Sequence, residues 1–370
     1  MDFEFSPFQE EMRATVRRFF AEQTPLAYVR RVIDEPAPAL DAEWHGLAQL
    51  GAAGLLAPDD LGGSGLTMLD AGVVLEEAGR ALYPGPLLSS GVGALSLALA
   101  LGAADLVRQL ASGERTGTVA LLEAGRRFDW QHPETTADTD GRLHGEKVHI
   151  ADGASAGVLL VVCRGPATYA VYAVDSGAPG LVVEATPTVD GTRKTARVRL
   201  DGAPGRLLGS GADAVAAVSA TVDLLRIGYA VDGVGAAGRA LELAVDYAKV
   251  REQFDRPIGS FQAVQHLCAD MLRAVELARA GAYYALWAAG GAEPAERHRA
   301  ATMASAYAGE WLPWVGASAI QVFGGVGFTW EHDAHLSYKR LLSIPAALGG
   351  PGDLLEELAR LVLDPAARRE

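Results

Sequence analysis

The chain is short of several things, and each shortage excludes something. It has two cysteines, Cys163 and Cys268, far apart and outside any CxxC or Cys/His cluster. That disfavours a disulfide framework or a structural zinc and suits a reducing, cytoplasmic setting. Basic charge is also in deficit. The formal charge is −14, the wrong sign for nucleic acid or an anionic membrane as partner, although a local basic pocket for phosphates fits within that total. No basic and apolar leader stands at the start, where Asp2, Glu4 and Glu10 lie. The longest apolar run, residues 92–101, is too short to span a bilayer. There is no GxSxG elbow of the kind that carries a nucleophilic serine.

What is there is apolar and long. Nearly half of the 370 residues are hydrophobic, enough for about two to three globular domains. Residues 1–115 read as helical, with Phe8, Met12, Val16, Phe19 and Phe20 at helical spacing. The texture changes near Thr116. Up to residue 208 come short β-rich runs at 118–122, 143–150, 158–163, 169–174, 181–185 and 195–200. Asp140-Gly141, Asp190-Gly191 and Asp201-Gly202 supply turns between them. This middle part is expected to be a compact antiparallel β-barrel or sandwich. Residues 209–370 are helical again, with segments at 213–251, 261–289, 293–319 and 353–363 that are expected to pack as a four-helix bundle. The fold class expected is therefore multi-domain α+β, in three parts.

One stretch carries an odd load. Between Arg251 and Gln265 lie two arginines, three glutamines and two phenylalanines. Guanidinium suits phosphate, aromatic faces suit stacking, and amides suit ring edges. A polar helix–helix corner has the same composition, with Pro257 and Gly259 breaking one helix and Ser260 capping the next.

Other motifs read as packing or solvated surface. Gly233-x-Gly235-x-x-Gly238 matches the dinucleotide fingerprint but lies inside a helical pattern, so close helix packing accounts for it better. His332, Asp333 and His335 lack a further ligand at metal-like spacing. Glu76-Glu77 and Glu356-Glu357 are adjacent pairs that point in different directions on their helices, and both read as solvated faces.

Arg251-Glu252-Gln253-Phe254, then Pro257-Ile258-Gly259 and Phe261-Gln262-Ala263-Val264-Gln265, resembles the signature of the acyl-CoA dehydrogenase family. A second match follows in order at Gln321-Val322-Phe323-Gly324-Gly325-Val326-Gly327-Phe328-Thr329. The helical–β–helical order extends the resemblance over the whole chain. The resemblance implies α,β-dehydrogenation of an acyl-CoA thioester with FAD bound at a subunit interface, and electron-transfer flavoprotein as acceptor. It implies that Arg251 contacts the pyrophosphate of a neighbouring subunit's FAD. Phe254, Ile258, Phe261 and Gln262 are implied to surround that contact, and Gln321, Val322, Phe323, Gly324 and Gly325 to approach the adenosine diphosphate.

The other half of the family pattern is missing. The family's Thr-Glu-Pro after the first β strand is here Leu122-Glu123-Ala124, and its Trp-Ile-Thr-Asn is His149-Ile150-Ala151-Asp152. The commoner catalytic-base position falls at Gly349 and the alternative one at Leu225. Neither side chain accepts a proton. Asp232 lies seven residues past Leu225, roughly 10 Å along a helix. The chain resembles the base-lacking subunit of actinobacterial α2β2 acyl-CoA dehydrogenases that act on steroid-derived thioesters. Two rivals stand beside that reading: a self-sufficient homotetramer using Asp223, Asp232 or Asp353, and a relative that binds acyl-CoA or flavin without dehydrogenating.

Overall fold

Ser6 opens the first helix by a reciprocal cap. Its hydroxyl accepts from the Gln9 amide, the Gln9 side chain accepts from the Ser6 amide, and Pro7 follows at the first helical position. The computed structural model describes residues 5–35 and 42–363. Six helices come first: α1 (Pro7–Gln23), α2 (Leu26–Val32), α3 (Ala42–Gln49), α4 (Met68–Arg80), α5 (Leu95–Ala100) and α6 (Ala104–Ala111). Eight strands follow: β1 (Gly117–Ala120), β2 (Thr136–Ala137), β3 (Arg142–Ala151), β4 (Val158–Arg164), β5 (Tyr169–Asp175), β6 (Leu181–Thr186), β7 (Thr195–Pro204) and β8 (Arg206–Ser210). Then come α7 (Gly211–Val250), a two-strand hairpin of β9 (Glu252–Gln253) and β10 (Arg256–Pro257), α8 (Gln262–Ala289), α9 (Pro294–Phe323), α10 (Ala334–Ala347) and α11 (Pro351–Leu363).

The chain divides into two compact units. One comprises the described residues of Met1–Arg30, Gly72–Tyr83 and Arg226–Glu370, and the other those of Arg31–Ala71 and Pro84–Leu225.

The second unit holds the sheet. Its strand order is β6-β7-β3-β2-β4-β5-β8, with β1 beside β4. Leu143, Ile150, Leu159, Val161, Val198 and Leu200 are among the residues that fill its core. The expected closed antiparallel barrel is not formed. β6 and β8 end the path without pairing to one another, so the sheet is open, and β1 and β2 run parallel to β4. Neither edge strand has a fully buried residue, so little apolar surface draws the two edges together.

The first unit holds the long helices. The expected bundle of four is instead five after the sheet among the described residues, because α10 separates α9 from α11. Pro345 lies inside α10, a residue that argues against a helix when only the sequence is read. α9 packs against α8, α10 and α11. The glycines of the 233–238 motif serve close packing. A Cβ added at Gly235 would land on the Glu76 carbonyl, and one at Gly79 on the Asp232 carbonyl, so α4 and α7 cross at backbone contact. By length and composition α7 could cross a bilayer, but 67% of its most apolar window is buried in the protein, as in a core helix.

Candidate functional site

The 251–265 stretch is built as a tight turn followed by a helix start. The Arg251 amide closes the end of α7 on the Tyr247 carbonyl, and the Ile258 amide returns to the Arg251 carbonyl at 2.8 Å. Between them Phe254 (φ 55°) and Asp255 (φ 59°) are both left-handed, the pattern of a two-residue type I′ hairpin. The turn thus falls earlier than Pro257 and Gly259 suggest. Ser260 does not cap α8: its hydroxyl donates to the Pro257 carbonyl, and Phe261 is the N-cap residue without a side-chain cap bond. Gln265 donates back to the Gly259 carbonyl at 2.9 Å.

This turn faces outward. Phe254 is 85% exposed, and its ring lies edge-on to Phe261 at 6.0 Å. The Arg256 guanidinium lies 4.1 Å from the Phe261 ring centroid. Arg251 and Gln262 are exposed and Ile258 half-buried. The Arg251 guanidinium has no hydrogen-bond partner among the described residues. A phenylalanine held left-handed costs about 1–2 kcal/mol, and here the strained side chain buries almost nothing of itself. Strain of that kind concentrates at binding sites.

The second stretch adjoins the first. Phe323 packs its ring 5.1 Å from Tyr247, whose carbonyl receives the Arg251 amide. Gln321 is exposed; Val322 and Phe323 turn inward as core. Gly324 takes φ 65°, and an added Cβ at Gly324 or Gly325 would meet nothing within 4 Å. The backbone there is open to an approaching group. An unpaired guanidinium, outward aromatic rings and an open glycine pair within one unit fit the diphosphate and adenosine half of FAD.

The base positions look quite different. Gly349 has φ 113°, and a Cβ there would lie 3.2 Å from Leu354 and 3.8 Å from Nη2 of Arg226. Arg226 is buried. It binds both Glu357 oxygens, at 2.9 and 3.0 Å, and also donates to the Leu348 carbonyl and the Thr302 hydroxyl. His298 Nε2 lies 2.8 Å from the same Glu357 carboxyl. Burial alone would raise the Glu357 pKa, but the hydrogen bonds from His298 and Arg226 overcome it and hold the carboxyl at about 2. Glu357 is therefore an anchor for α11 and not the solvated residue its sequence suggests, and its proton affinity is too low for a base.

The acidic substitutes are buried or exposed on α11. Asp232 is 2% exposed and gripped at both oxygens by Arg340, at 2.9 and 2.8 Å. Asp223 is 1% exposed. Asp353 is exposed in the first turn of α11. Leu225, in the other unit, is buried, and a Cβ added at Gly93 would come within 3.1 Å of its side chain.

Glu123 is the one residue kept from the family's Thr-Glu-Pro, and it is structural. Its carboxyl accepts from Lys147 Nζ at 2.8 Å and from the Glu134 and Thr135 amides at 2.7 and 2.9 Å. Burial pushes its pKa up, and these donors bring it down to about 2. His149 is exposed at φ 53°, where the β3–β7 register breaks between Lys147 and Ile150. Glu76 and Glu77 are not solvated: both are buried, with Glu77 held by Arg17 at 2.6 Å and Glu76 by Arg279 and Tyr283.

Residues 6–112 match the family described as "Acyl-CoA dehydrogenase, N-terminal domain", and residues 215–360 match "Acyl-CoA dehydrogenase, C-terminal domain". Among curated proteins, acyl-CoA dehydrogenase FadE34 of Mycobacterium tuberculosis is 38% identical over 88% of this chain, which spans only 42% of that longer protein. Acyl-CoA dehydrogenase IpdE2 of Mycolicibacterium smegmatis is 32% identical over 95% of this chain and 97% of its own length. Among solved structures, a point variant of the Tcur3481-Tcur3483 steroid ACAD superposes with TM-score 0.89 at 33% identity, over 97% of this chain and 98% of the other. A chain of the ChsE4-ChsE5 complex from Mycobacterium tuberculosis superposes with TM-score 0.88 at 27% identity, over 98% of this chain and 99% of the other. With its fold, its outward arginine and its open glycine pair in place, this chain belongs to the acyl-CoA dehydrogenase family, whose cofactor is FAD.

Proposed function

We propose that the chain takes part in α,β-dehydrogenation of an acyl-CoA thioester as the subunit that lends a cofactor edge to a related partner and supplies no base. One observation carries this reading: the base positions hold Gly349 and buried Leu225, while Glu357 and Asp232 are locked to arginines. The assembly proposed is an α2β2 heterotetramer in the cytoplasm, with electron-transfer flavoprotein as acceptor. The names of two structural relatives, a steroid ACAD and a complex of ChsE4 with ChsE5, support a two-chain assembly and a steroid-derived acyl group.

Each residue then has a plain task. Arg251 pairs with the diphosphate, and its charge is available because no side chain among the described residues takes it. Phe254 and Phe261 offer aromatic surface, and Gly324 and Gly325 let backbone amides approach the diphosphate. FAD, when bound, supplies the hydride acceptor; removal of the α-proton falls to a carboxylate of the partner.

Expression alone and together with a related dehydrogenase chain that carries the base tests this. The reading expects a colourless chain alone, and about one FAD per two chains in the joint complex. A yellow chain that oxidises an acyl-CoA by itself would overturn it and point to exposed Asp353 as base. An inert complex that nevertheless holds FAD would favour a binding role without dehydrogenation.

A further inference from the structure

A cavity lies within the first unit. It measures about 340 Å³ and opens among α1, the start of α2, the end of α4, α7 and the start of α10. None of Arg251, Leu225 or Gly349 lines it. Its floor is apolar: Phe20 and Leu82 are nearly buried, and Leu243 lies beside them.

The end of α4 shapes that floor at a cost. The Tyr83 amide returns to the Ala78 carbonyl and the Leu82 amide to the Gly79 carbonyl, which is a Schellman closure. The left-handed position of that motif usually holds glycine; here it is Leu82, at φ 56°. Glycine would relieve the backbone, but it would remove the side chain that floors the cavity.

The rim is charged and unbalanced. Arg17 is spent on Glu77, and Arg30 on Asp333. Arg80 grips both oxygens of Glu242, and Arg239 shares the same carboxylate at 3.1 Å. Two guanidiniums on one carboxylate leave one positive charge uncompensated. Among the described residues Arg239 has no other partner for its remaining N–H groups, and its side chain is 40% exposed.

An apolar floor below a rim with one spare cation recognises an apolar body carrying one anionic head. We infer that this cavity binds a small amphipathic anion, a carboxylate or phosphate monoester with a short apolar body. The head sits at Arg239 and Arg80, and the body lies on Phe20, Leu82 and Leu243. The site is separate from the cofactor edge and from the base positions, so this inference does not depend on the function proposed above.

Calorimetric titration of the full chain, alone and in its complex, tests the site with octanoate, octyl phosphate and octylammonium as probes. Octanoate or octyl phosphate is expected to bind and octylammonium not to, with affinity falling as salt is raised. Comparing the two anions tells which head the site prefers. Ala21→Trp fills the cavity from an exposed lining position, and Arg239→Ala removes the spare charge. Each is expected to weaken binding by about fivefold or more, in keeping with one charge-assisted contact or the loss of the apolar floor. The inference is overturned if neither anion binds, if octylammonium binds equally well, or if binding survives Ala21→Trp unchanged. That last result would place the probe elsewhere, an acyl-CoA pocket included.

Discussion

Arg226 and Arg251 bracket the part of α7 that belongs to the first unit, and they are in opposite states. Arg226 is buried, and a carboxylate, a carbonyl and a hydroxyl surround its guanidinium. Arg251 is exposed on the approach to a strained hairpin, with no side-chain partner among the described residues. One cation is a structural bolt and the other is unspent recognition capacity. Charge on a helix therefore does not announce its use; the surroundings do. A buried guanidinium with a carboxylate contributes to stability chiefly because removing its partner is so costly. An exposed one contributes little until a ligand arrives.

The contrast can be broken at its strong end first. Glu357→Ala leaves Arg226 buried without its carboxylate and is expected to cost about 3 kcal/mol, measured by denaturant unfolding. Glu357→Gln tests the same bond through pH. The folded carboxyl titrates at about 2, below its ordinary value of 4.5. Its stabilisation is therefore fully present above the unfolded pKa and is lost as pH falls through the folded one. Between about pH 4.5 and 2 the parent should lose stability more steeply than Glu357→Gln. Equal slopes would show that the carboxyl is not held as described.

Arg251→Ala should do the reverse. Its effect on chain stability is expected to be near zero, while FAD retention by the complex drops about tenfold or more, the loss of one bond to a charged group. Flavin absorbance after gel filtration reads this directly; undiminished FAD would mean that the cofactor edge is misplaced. Phe254→Gly has the smallest expected effect and splits the two properties. Relief of the left-handed strain should raise the unfolding free energy by about 1 kcal/mol, while FAD retention falls. A loss of stability instead would show that the Phe254 ring contributes packing that its exposure hides.

Much of the fold was legible from local rules. The helical spacing of Phe8, Met12, Val16, Phe19 and Phe20 marks α1, and the β-rich runs at 143–150 and 195–200 are strands that do pair as β3 with β7. Sheet closure was not legible. Alternation tells which face of a strand is buried, and it carries no information on whether the first and last strands meet. The hairpin at Phe254-Asp255 lacks the Asn-Gly or Asp-Gly that normally signals a type I′ turn, so Pro257 and Gly259 drew the reading too far along the chain. Glu76 and Glu77 read as solvent-facing because adjacent helical positions diverge. Both are buried all the same, because arginines from α1 and α8 come to meet them. Of the candidate site, the exposed turn at Arg251 and Phe254 was readable as an odd load of arginine, glutamine and aromatic residues. The saturation of Arg226 was not, because its partners Thr302, Leu348 and Glu357 are scattered along the chain.

That scatter has a consequence for how the protein is made. Arg226 and Glu357 lie 131 residues apart, and synthesis delivers the arginine long before the carboxylate. While the chain is growing, α7 can form, but burying Arg226 would mean burying its charge before the Glu357 carboxylate has been made. The first unit therefore reaches its final packing only once α11 has emerged. A premature stop just ahead of Glu357 spares every described helix but α11, yet it leaves that charge without the Glu357 carboxylate for good.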